Sequence, residues 1–289
     1  MAAVNLLRRP YRLPLIGPMR LGALAIRERQ GWLLRREEQL ADVAPLPHFS
    51  KESREEVEAA FGSAEAPASL EWARYALDLE GPASVRSSGL LLGDGQPAAG
   101  FGCVKIKVGR QPIEQECERI AQLAARGLKL RLDGNRSLTL EQAGLLAEAA
   151  GDALEFLEEP VPGALVEESL RRWPVALDET LVALRDVPDG AAAYVLKPTL
   201  LGSRRTLELI ELAQSKKISV VISSAFESAV GRADLVRFAA RVAPGVVHGL
   251  GTGPAFAEDF EGWIREDGEW LHAQRGALPS SEETPWVNC

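Results

Sequence analysis

Five charged residues recur along the middle of the chain at the same point of a repeating pattern. Lys107, Asp133, Glu158, Asp178 and Lys197 each fall at the end of a short apolar run, with spacings of 26, 25, 20 and 19 residues from one to the next. An apolar run followed by a helix-period stretch is one strand-plus-helix unit, so each charge sits at the C-terminal end of a strand. Three carboxylates side by side at one mouth repel each other when all are ionised, and a hard divalent cation resolves that repulsion. All-oxygen ligation favours Mg2+ over zinc, with Mn2+ as a substitute. Lysines on the strands flanking the acidic trio would face each other across a bound substrate. A cation between two amine bases suits removal of a proton next to a carboxylate, where the cation stabilises the enediolate that forms. Lys105 lies two residues before Lys107 and points to the same side of the strand. Two close ammonium groups disfavour each other's charge, and burial adds to this. Lys107 is therefore expected to have a lowered pKa and to serve as a base near neutral pH. Taken singly, these residues have plainer roles: a strand-end lysine is usually solvated, Asp178 would pass as a cap, and Asp133-Gly134-Asn135 as a turn. Their agreement on five consecutive units selects the catalytic reading.

The elements that must position these groups follow from the same periodicity. Strands are expected at 89–92, 104–108, 128–132, 154–157, 175–177, 193–196, 218–222 and 246–248, and helices at 113–125, 140–150, 165–172, 203–216 and 227–243. Alternation of this kind implies parallel strands with right-handed crossovers. Eight strands suggest an α/β fold of the modified (β/α)8 type, a TIM-like barrel, with an open doubly wound sheet as the competing architecture. The Gly/Pro/Ala-rich stretch 93–103 is too short for a crossover helix, so the first barrel helix is expected to be truncated. Before residue 86 the pattern is α+β. Short strands are expected at 25–29, 32–36 and 40–44, then a helix capped by Ser50 and running to 61, and another over 69–80. We therefore divide the chain into an α+β capping domain, 1–85, and a barrel domain, 86–254. The tail, 255–289, is expected to pack back on the capping domain. The six tryptophans read as core or interdomain packing.

Composition bounds the rest. The chain has 289 residues, 46% of them hydrophobic and 26% charged, and its 33 basic and 41 acidic side chains give a formal charge of −8. That is a globular profile, and the acidic balance argues against nucleic acid as a partner. No apolar run is long enough for membrane insertion, and the N-terminus lacks the order of a signal peptide, so a cytoplasmic location is expected. Cys103, Cys117 and Cys289 form neither a disulfide framework nor a zinc motif. His48, His248 and His272 belong to no metal or triad motif and read as structural. The run Gly249-x-Gly251-x-Gly253 is no dinucleotide fingerprint, because Pro254 follows and no helix opens there; its glycines suit close backbone approach to a ligand. No motif specifies an oligomeric state.

The motifs resemble those of the enolase superfamily, and most closely its muconate-lactonizing-enzyme subgroup. The resemblance is carried by Lys105-Ile106-Lys107, Leu130 to Arg136, Phe156-Leu157-Glu158-Glu159-Pro160, Leu177-Asp178-Glu179 and Lys197-Pro198-Thr199. Softer stretches are similar to the o-succinylbenzoate synthase family: Ala44 to Ser50, Lys197 to Ser203, Val221 to Ser228 and Gly249 to Thr252. The resemblance implies a cap on a modified barrel, Mg2+ held by Asp133, Glu158 and Asp178, Lys107 as base and Lys197 opposite it. The substrate would be a small carboxylate, 2-succinyl-6-hydroxy-2,4-cyclohexadiene-1-carboxylate, dehydrated to o-succinylbenzoate for menaquinone or phylloquinone synthesis. Lys197 would stabilise the anionic intermediate, by a cation–π contact with the ring. Lys105 would support Lys107, and Asn135 would orient a metal ligand or the substrate carboxylate. Ser223, Ser224, Gly251 and Thr252 could offer donors to the succinyl carboxylate. Arg131, inward-facing two residues before Asp133, could meet a substrate anion or form a structural ion pair. The segment 13–25 stands where the family has a substrate-covering loop. The same lysines suit an N-acylamino acid racemase or dipeptide epimerase equally well, and cycloisomerisation of muconate-like acids is a third reading. A non-catalytic barrel that keeps the fold for binding would be expected to lose at least one of the five positions, and all five are intact.

Overall fold

The computed structural model describes residues 6–21, 24–91, 95, 99–184, 186–277 and 284–289. The chain begins with an antiparallel meander of β1 (Leu6–Leu21), β2 (Leu24–Arg36) and β3 (Gln39–Val43), to which the last strand, β15 (Val287–Asn288), adds beside β1. The long β1 corrects the reading of 13–25 as loop. Arg9, Tyr11, Leu13 and Leu15 turn inward while Pro10, Arg12 and Pro14 face out, a period-2 pattern that the prolines obscure. Proline lacks the N–H for a ladder, but β15 pairs only with Leu7 and Arg8, so Pro10 lies past it on the edge, and at Pro14 the neighbouring chain needs only the carbonyl, which accepts the Ala257 N–H at 2.9 Å. Likewise 25–29 and 32–36 are one strand. Gly31 is no turn: a Cβ there would meet Tyr11 Oη and Val43 O at 2.6 Å each, so glycine permits close packing inside the sheet.

Two helices follow, α1 (Arg54–Ala59) and α2 (Ala68–Ala76). The cap of α1 is Ser53, not Ser50: Ser53 and Glu56 form a reciprocal capping box, whereas Ser50 Oγ accepts the Leu46 N–H at 2.8 Å. The alternating strand–helix part of the chain then opens with β4 (Ala83–Ser87) and β5 (Gly89–Leu91). It continues through β6 (Cys103–Lys107), α3 (Ile113–Ala124), β7 (Lys129–Asp133), α4 (Leu140–Ala150), β8 (Leu154–Glu158), α5 (Val166–Arg172), β9 (Val175–Leu177), α6 (Glu179–Ala183), β10 (Ala193–Leu196), α7 (Pro198–Lys216), β11 (Ser219–Ile222), α8 (Ala229–Val242) and β12 (Val247–His248). Strands β5 to β11 form one seven-stranded parallel sheet in sequence order. The expected eighth strand is only two residues long. It pairs in parallel with β4, and a single bridge from Gly249 to Ser223 joins it to the end of β11. Among the described residues no helix lies between β5 and β6; 92–94 and 96–98, part of the stretch expected to lack one, lie outside them. Helix α6 was not expected from the sequence. In α7, Gly202 at φ +77° breaks the helix, and the regular part follows it.

Alternation sorts the strands. Val104, Ile106, Leu130 and Leu132 are buried in the main core, while Lys105, Lys107, Arg131 and Asp133 face the other way. A separate cluster of Phe156, Ala176, Ala193, Val195 and Val221 lies on the strands themselves and fills the concave side of the sheet. Arg131 belongs to that layer. Its guanidinium donates to Glu155 at 2.8 and 2.9 Å and to Val247 O at 2.7 Å, over the Phe156 ring at 4.9 Å. All this corrects the substrate-anion reading: Arg131 is a structural ion pair.

The tail forms a hairpin, β13 (Ile264–Asp267) with β14 (Trp270–Ala273), and β14 pairs with β4. It therefore meets β4 as well as the N-terminal meander, where Leu15 bridges Phe256 and Trp286 lies beside Arg9 and Arg35. Trp32 and Trp72 are core residues, but Trp270 is 44% exposed and packs less than expected. No helix among the described residues is long and apolar enough to cross a membrane.

Candidate active site

The strand ends open into a cavity of about 480 Å3. Register explains why the charges meet there. Lys107 lies opposite Asp133, and Asp133 opposite Glu158, on adjacent parallel strands. Asp178 follows β9 directly, and Lys197 follows β10. Lys105, Lys107, Asp133, Asn135 and Lys197 all line the cavity. Gly134 makes the turn after Asp133 possible, since a Cβ there would lie 2.8 Å from Pro160 Cα.

Lys105 Nζ bridges Asp133 Oδ2 at 2.9 Å and Glu158 Oε1 at 2.7 Å, and Lys197 is ion-paired with Asp178. Lys107 Nζ donates to Asn135 Oδ1 at 2.8 Å, and Asn135 Nδ2 donates to Glu179 Oε1 at 3.2 Å. These contacts set the electrostatics. Burial lifts Glu158 to about 7, with the neighbouring Asp133 and Asp178 adding to it, and burial lifts Asp178 to about 6. Burial acts on Asp133 in the same direction, but Lys105, Lys107 and Lys197 outweigh it and hold its pKa low. The ammoniums of Lys105 and Lys197 are buried too, yet their carboxylate partners keep both firmly charged. Lys107 is the exception. Burial lowers its pKa, the one facing carboxylate, Asp133, opposes this, and Lys105, Arg110 and Lys197 push it down further. The direction expected for Lys107, a lowered pKa, is thus present.

As the side chains stand, no three acidic, histidine or cysteine groups among the described residues converge on one point. Lys105 and Lys197 supply the positive charge instead. The donor set still fits a hard cation: three carboxylates come from successive strands, and a cationic group already sits between Asp133 and Glu158.

The opposite wall is built by the ends of β11 and β12. Ser223, Ser224, Gly251 and Thr252 line the cavity as expected. Ser224 Oγ donates to Glu227 Oε2 at 2.6 Å, and Thr252 Oγ1 lies 2.9 Å from Ser224 Oγ. Glu227, fully buried, also accepts from Thr199 Oγ1 at 2.6 Å and from Ala225 N–H at 2.8 Å. Next to it, Ser228 donates N–H and Oγ–H to Asp42 of β3, at 2.8 and 2.7 Å. Arg29 of β2 donates to Phe226 O, Pro45 O and Ala44 O at 3.0, 3.0 and 2.9 Å. The meander thus grips the loop that carries the two serines. It also forms the roof: Leu15, Ile16, Met19 and Leu21 of β1, with Leu46 and Phe49, line the cavity. Sequence reasoning missed Arg20, Arg110, Glu179 and Leu200 on this lining. Glu179 could have been found, as it directly follows Asp178; the two arginines carry no local signal.

A curled parallel sheet with acidic groups and lysines gathered at its mouth, under an antiparallel cap, defines an enolase-type barrel. Residues 95–270 match the family model described as enolase C-terminal domain-like. The o-succinylbenzoate synthase of Edwardsiella ictaluri is 31% identical, covering 84% of this chain and 88% of its own. That of Yersinia enterocolitica is 31% identical over 87% and 90%. Among solved structures, the dipeptide epimerase of Methylococcus capsulatus superposes with a TM-score of 0.75 at 21% identity, over 96% of this chain and 98% of that one. The o-succinylbenzoate synthase of Thermosynechococcus elongatus, complexed with Mg in the active site, superposes with a TM-score of 0.71 at 24% identity, over 88% and 95%. At these identities the superpositions speak for the fold, a capping unit on a TIM-like barrel. The chain belongs to the enolase superfamily and, within it, to the o-succinylbenzoate synthase family.

Proposed function

We propose that the protein is a Mg2+-dependent lyase that dehydrates 2-succinyl-6-hydroxy-2,4-cyclohexadiene-1-carboxylate to o-succinylbenzoate. The observation that carries this reading is geometric: one cavity is lined by Lys107, which donates to Asn135, and by Lys197, which is ion-paired with Asp178. The relatives that cover most of the chain, named for the synthesis of o-succinylbenzoate, support that product.

Asp133, Glu158 and Asp178 would hold Mg2+, which when bound supplies positive charge to the substrate carboxylate as its α-carbon loses a proton. Lys107, as the free amine, takes that proton. Asn135 holds the Lys107 amine toward the cavity through the 2.8 Å contact. Lys197, as ammonium, faces the negative charge that develops. Lys107, now protonated, returns the proton to the departing hydroxyl, which leaves as water, and the ring becomes aromatic. The apolar roof, with Leu15, Ile16 and Phe49, excludes solvent from the ring. The capping domain of 1–85 is the unit we assign to substrate selection and the barrel to chemistry.

The test is a Mg2+-dependent assay that follows loss of the cyclohexadiene absorbance. Lys107→Ala and Lys197→Ala are each expected to lower kcat by about 10²- to 10⁴-fold while leaving the far-UV spectrum unchanged. Full activity in either variant would refute the two-lysine mechanism. A folded, metal-loaded wild type that leaves the cyclohexadiene untouched would refute the substrate, and α-proton exchange on N-acylamino acids in deuterated water would then decide for a racemase.

A further inference from the structure

The polar groups facing the cavity are almost all engaged. Lys105 is held by Asp133 and Glu158, Lys197 by Asp178, and Lys107 by Asn135. On the serine wall, Ser224 gives its proton to Glu227, accepts the Phe226 N–H at 2.9 Å and contacts Thr252. Ser223 Oγ is turned to Gly249 O at 3.3 Å. A hydroxyl already donating to a buried carboxylate has no proton left for a ligand. The cavity lining nevertheless includes two guanidinium groups, Arg20 of β1 and Arg110 after β6. Neither makes a side-chain hydrogen bond or ion pair among the described residues.

Arg110 sits on a loop built to hold it. The buried Glu116 of α3 accepts three successive backbone N–H groups, from Gly109 at 2.9 Å, Arg110 at 2.9 Å and Gln111 at 3.1 Å. Gly109 lies at φ +79°, and a Cβ there would come within 2.4 Å of Ser137 Oγ. The backbone of Arg110 is thereby fixed at the cavity mouth, three residues beyond Lys107, near enough for its charge to act on that ammonium. Arg20, by contrast, lies past the register shift that follows Pro14 in β1. A planar, always charged group with five donors is suited to a carboxylate, and here it has no competing acceptor.

We infer that Arg110 is a specificity-determining residue that binds the distal carboxylate of the substrate, selecting ligands with two anionic groups over those with one. The inference rests on the lyase reading for the identity of that ligand: one carboxylate belongs at the acidic trio and the succinyl carboxylate reaches Arg110. It relocates the succinyl end from the serine wall, whose hydroxyls are committed, to the loop after β6.

The test is calorimetric binding to the Mg2+-loaded protein of two probes differing only at the tail, o-succinylbenzoate and 2-butyrylbenzoate. Wild type should bind the dicarboxylate at least tenfold tighter. Arg110→Leu should weaken o-succinylbenzoate about tenfold and 2-butyrylbenzoate less than twofold, with Arg110→Lys recovering part of the loss. Equal weakening of both probes, no weakening of either, or a selective loss seen in Arg20→Leu but not in Arg110→Leu would overturn the assignment. So would a wild type that binds neither. Failure of the lyase reading looks different: Arg110-dependent binding of the dicarboxylate with no turnover of the cyclohexadiene.

Discussion

Lowering the pH should destabilise the protein through one histidine that takes no part in the chemistry. His248 is fully buried on β12 and is clamped at both ring nitrogens. Ile222 N–H donates to Nδ1 at 3.0 Å, and Nε2 faces Ala243 O at 3.1 Å. These partners fix the neutral tautomer with its proton on Nε2. Protonation would put a second donor opposite the Ile222 N–H and leave a buried charge. Burial accordingly depresses the pKa to about 4, and the nearby Arg131 acts in the same direction. With an ordinary value near 6.5 in the unfolded chain, the unfolded state binds more protons between these limits. The contribution is therefore complete above pH 6.5 and is lost as pH falls toward 4. At pH 5 the loss comes to about 2 kcal/mol, from the ratio of the two binding polynomials. Other buried acids titrate in the same range, so the measurement is a difference. Urea unfolding of wild type and His248→Asn is compared at pH 7 and pH 5. The variant keeps an acceptor for Ile222 N–H but cannot be protonated. Wild type should lose about 2 kcal/mol more than the variant over that interval. Parallel pH profiles would refute the assigned tautomer and the buried clamp.

Two further predictions concern packing. Arg131→Met should lower stability by about 2 kcal/mol, less than a fully buried pair would lose because Glu155 keeps 37% of its side chain in water. It should leave KM for the cyclohexadiene unchanged, and a selective rise in KM with unchanged stability would restore the substrate-anion role. Gly31→Ala should destabilise by about 1–3 kcal/mol in thermal unfolding, since its methyl would be pressed against Tyr11 Oη and the rigid Val43 carbonyl. A variant as stable as wild type would show that the meander opens at that point.

The placement of the charged groups is legible in the sequence because it is local. A charge that ends an apolar run must lie at a strand end, and parallel register then brings neighbours such as Asp133 and Glu158 together without further information. What escaped depends on partners distant in sequence. Tolerance of Pro10 in β1 depends on the edge being free there, which is decided by a C-terminal strand more than 270 residues away. Gly31 reads as a turn until Tyr11 and Val43 are seen to crowd it. The roles of Arg131 and Arg110 likewise turn on whether an acceptor stands beside them. Glu155 does so for Arg131, and among the described residues nothing does so for Arg110. Ser53 is different: its box with Glu56 is written in four consecutive residues, whereas Ser50 lacks an acidic or amide partner three residues on.

The same distinction separates the reaction from its specificity. In the proposed mechanism, lysines and carboxylates on rigid strand ends would fix what can be done to a proton next to a carboxylate, and that arrangement would serve a lyase and an epimerase alike. On the proposed reading, which molecule enters would depend on the roof from β1 and on the loop 224–228 as well as on Arg110. Asp42 and Arg29 of the meander hold that loop, and Glu71 of α2 also caps the regular part of α7 through Arg204 N–H at 2.7 Å. Glu227 joins the serine wall to Thr199, two residues after Lys197. A change in the cap that moves Asp42 or Arg29 therefore shifts the serine wall and the second lysine together. Substitutions in the cap should alter substrate preference through the serine wall, whereas substitutions at Arg110, whose loop is held by Glu116 of its own helix, should alter preference at the distal carboxylate and also relieve the downward push on the Lys107 pKa.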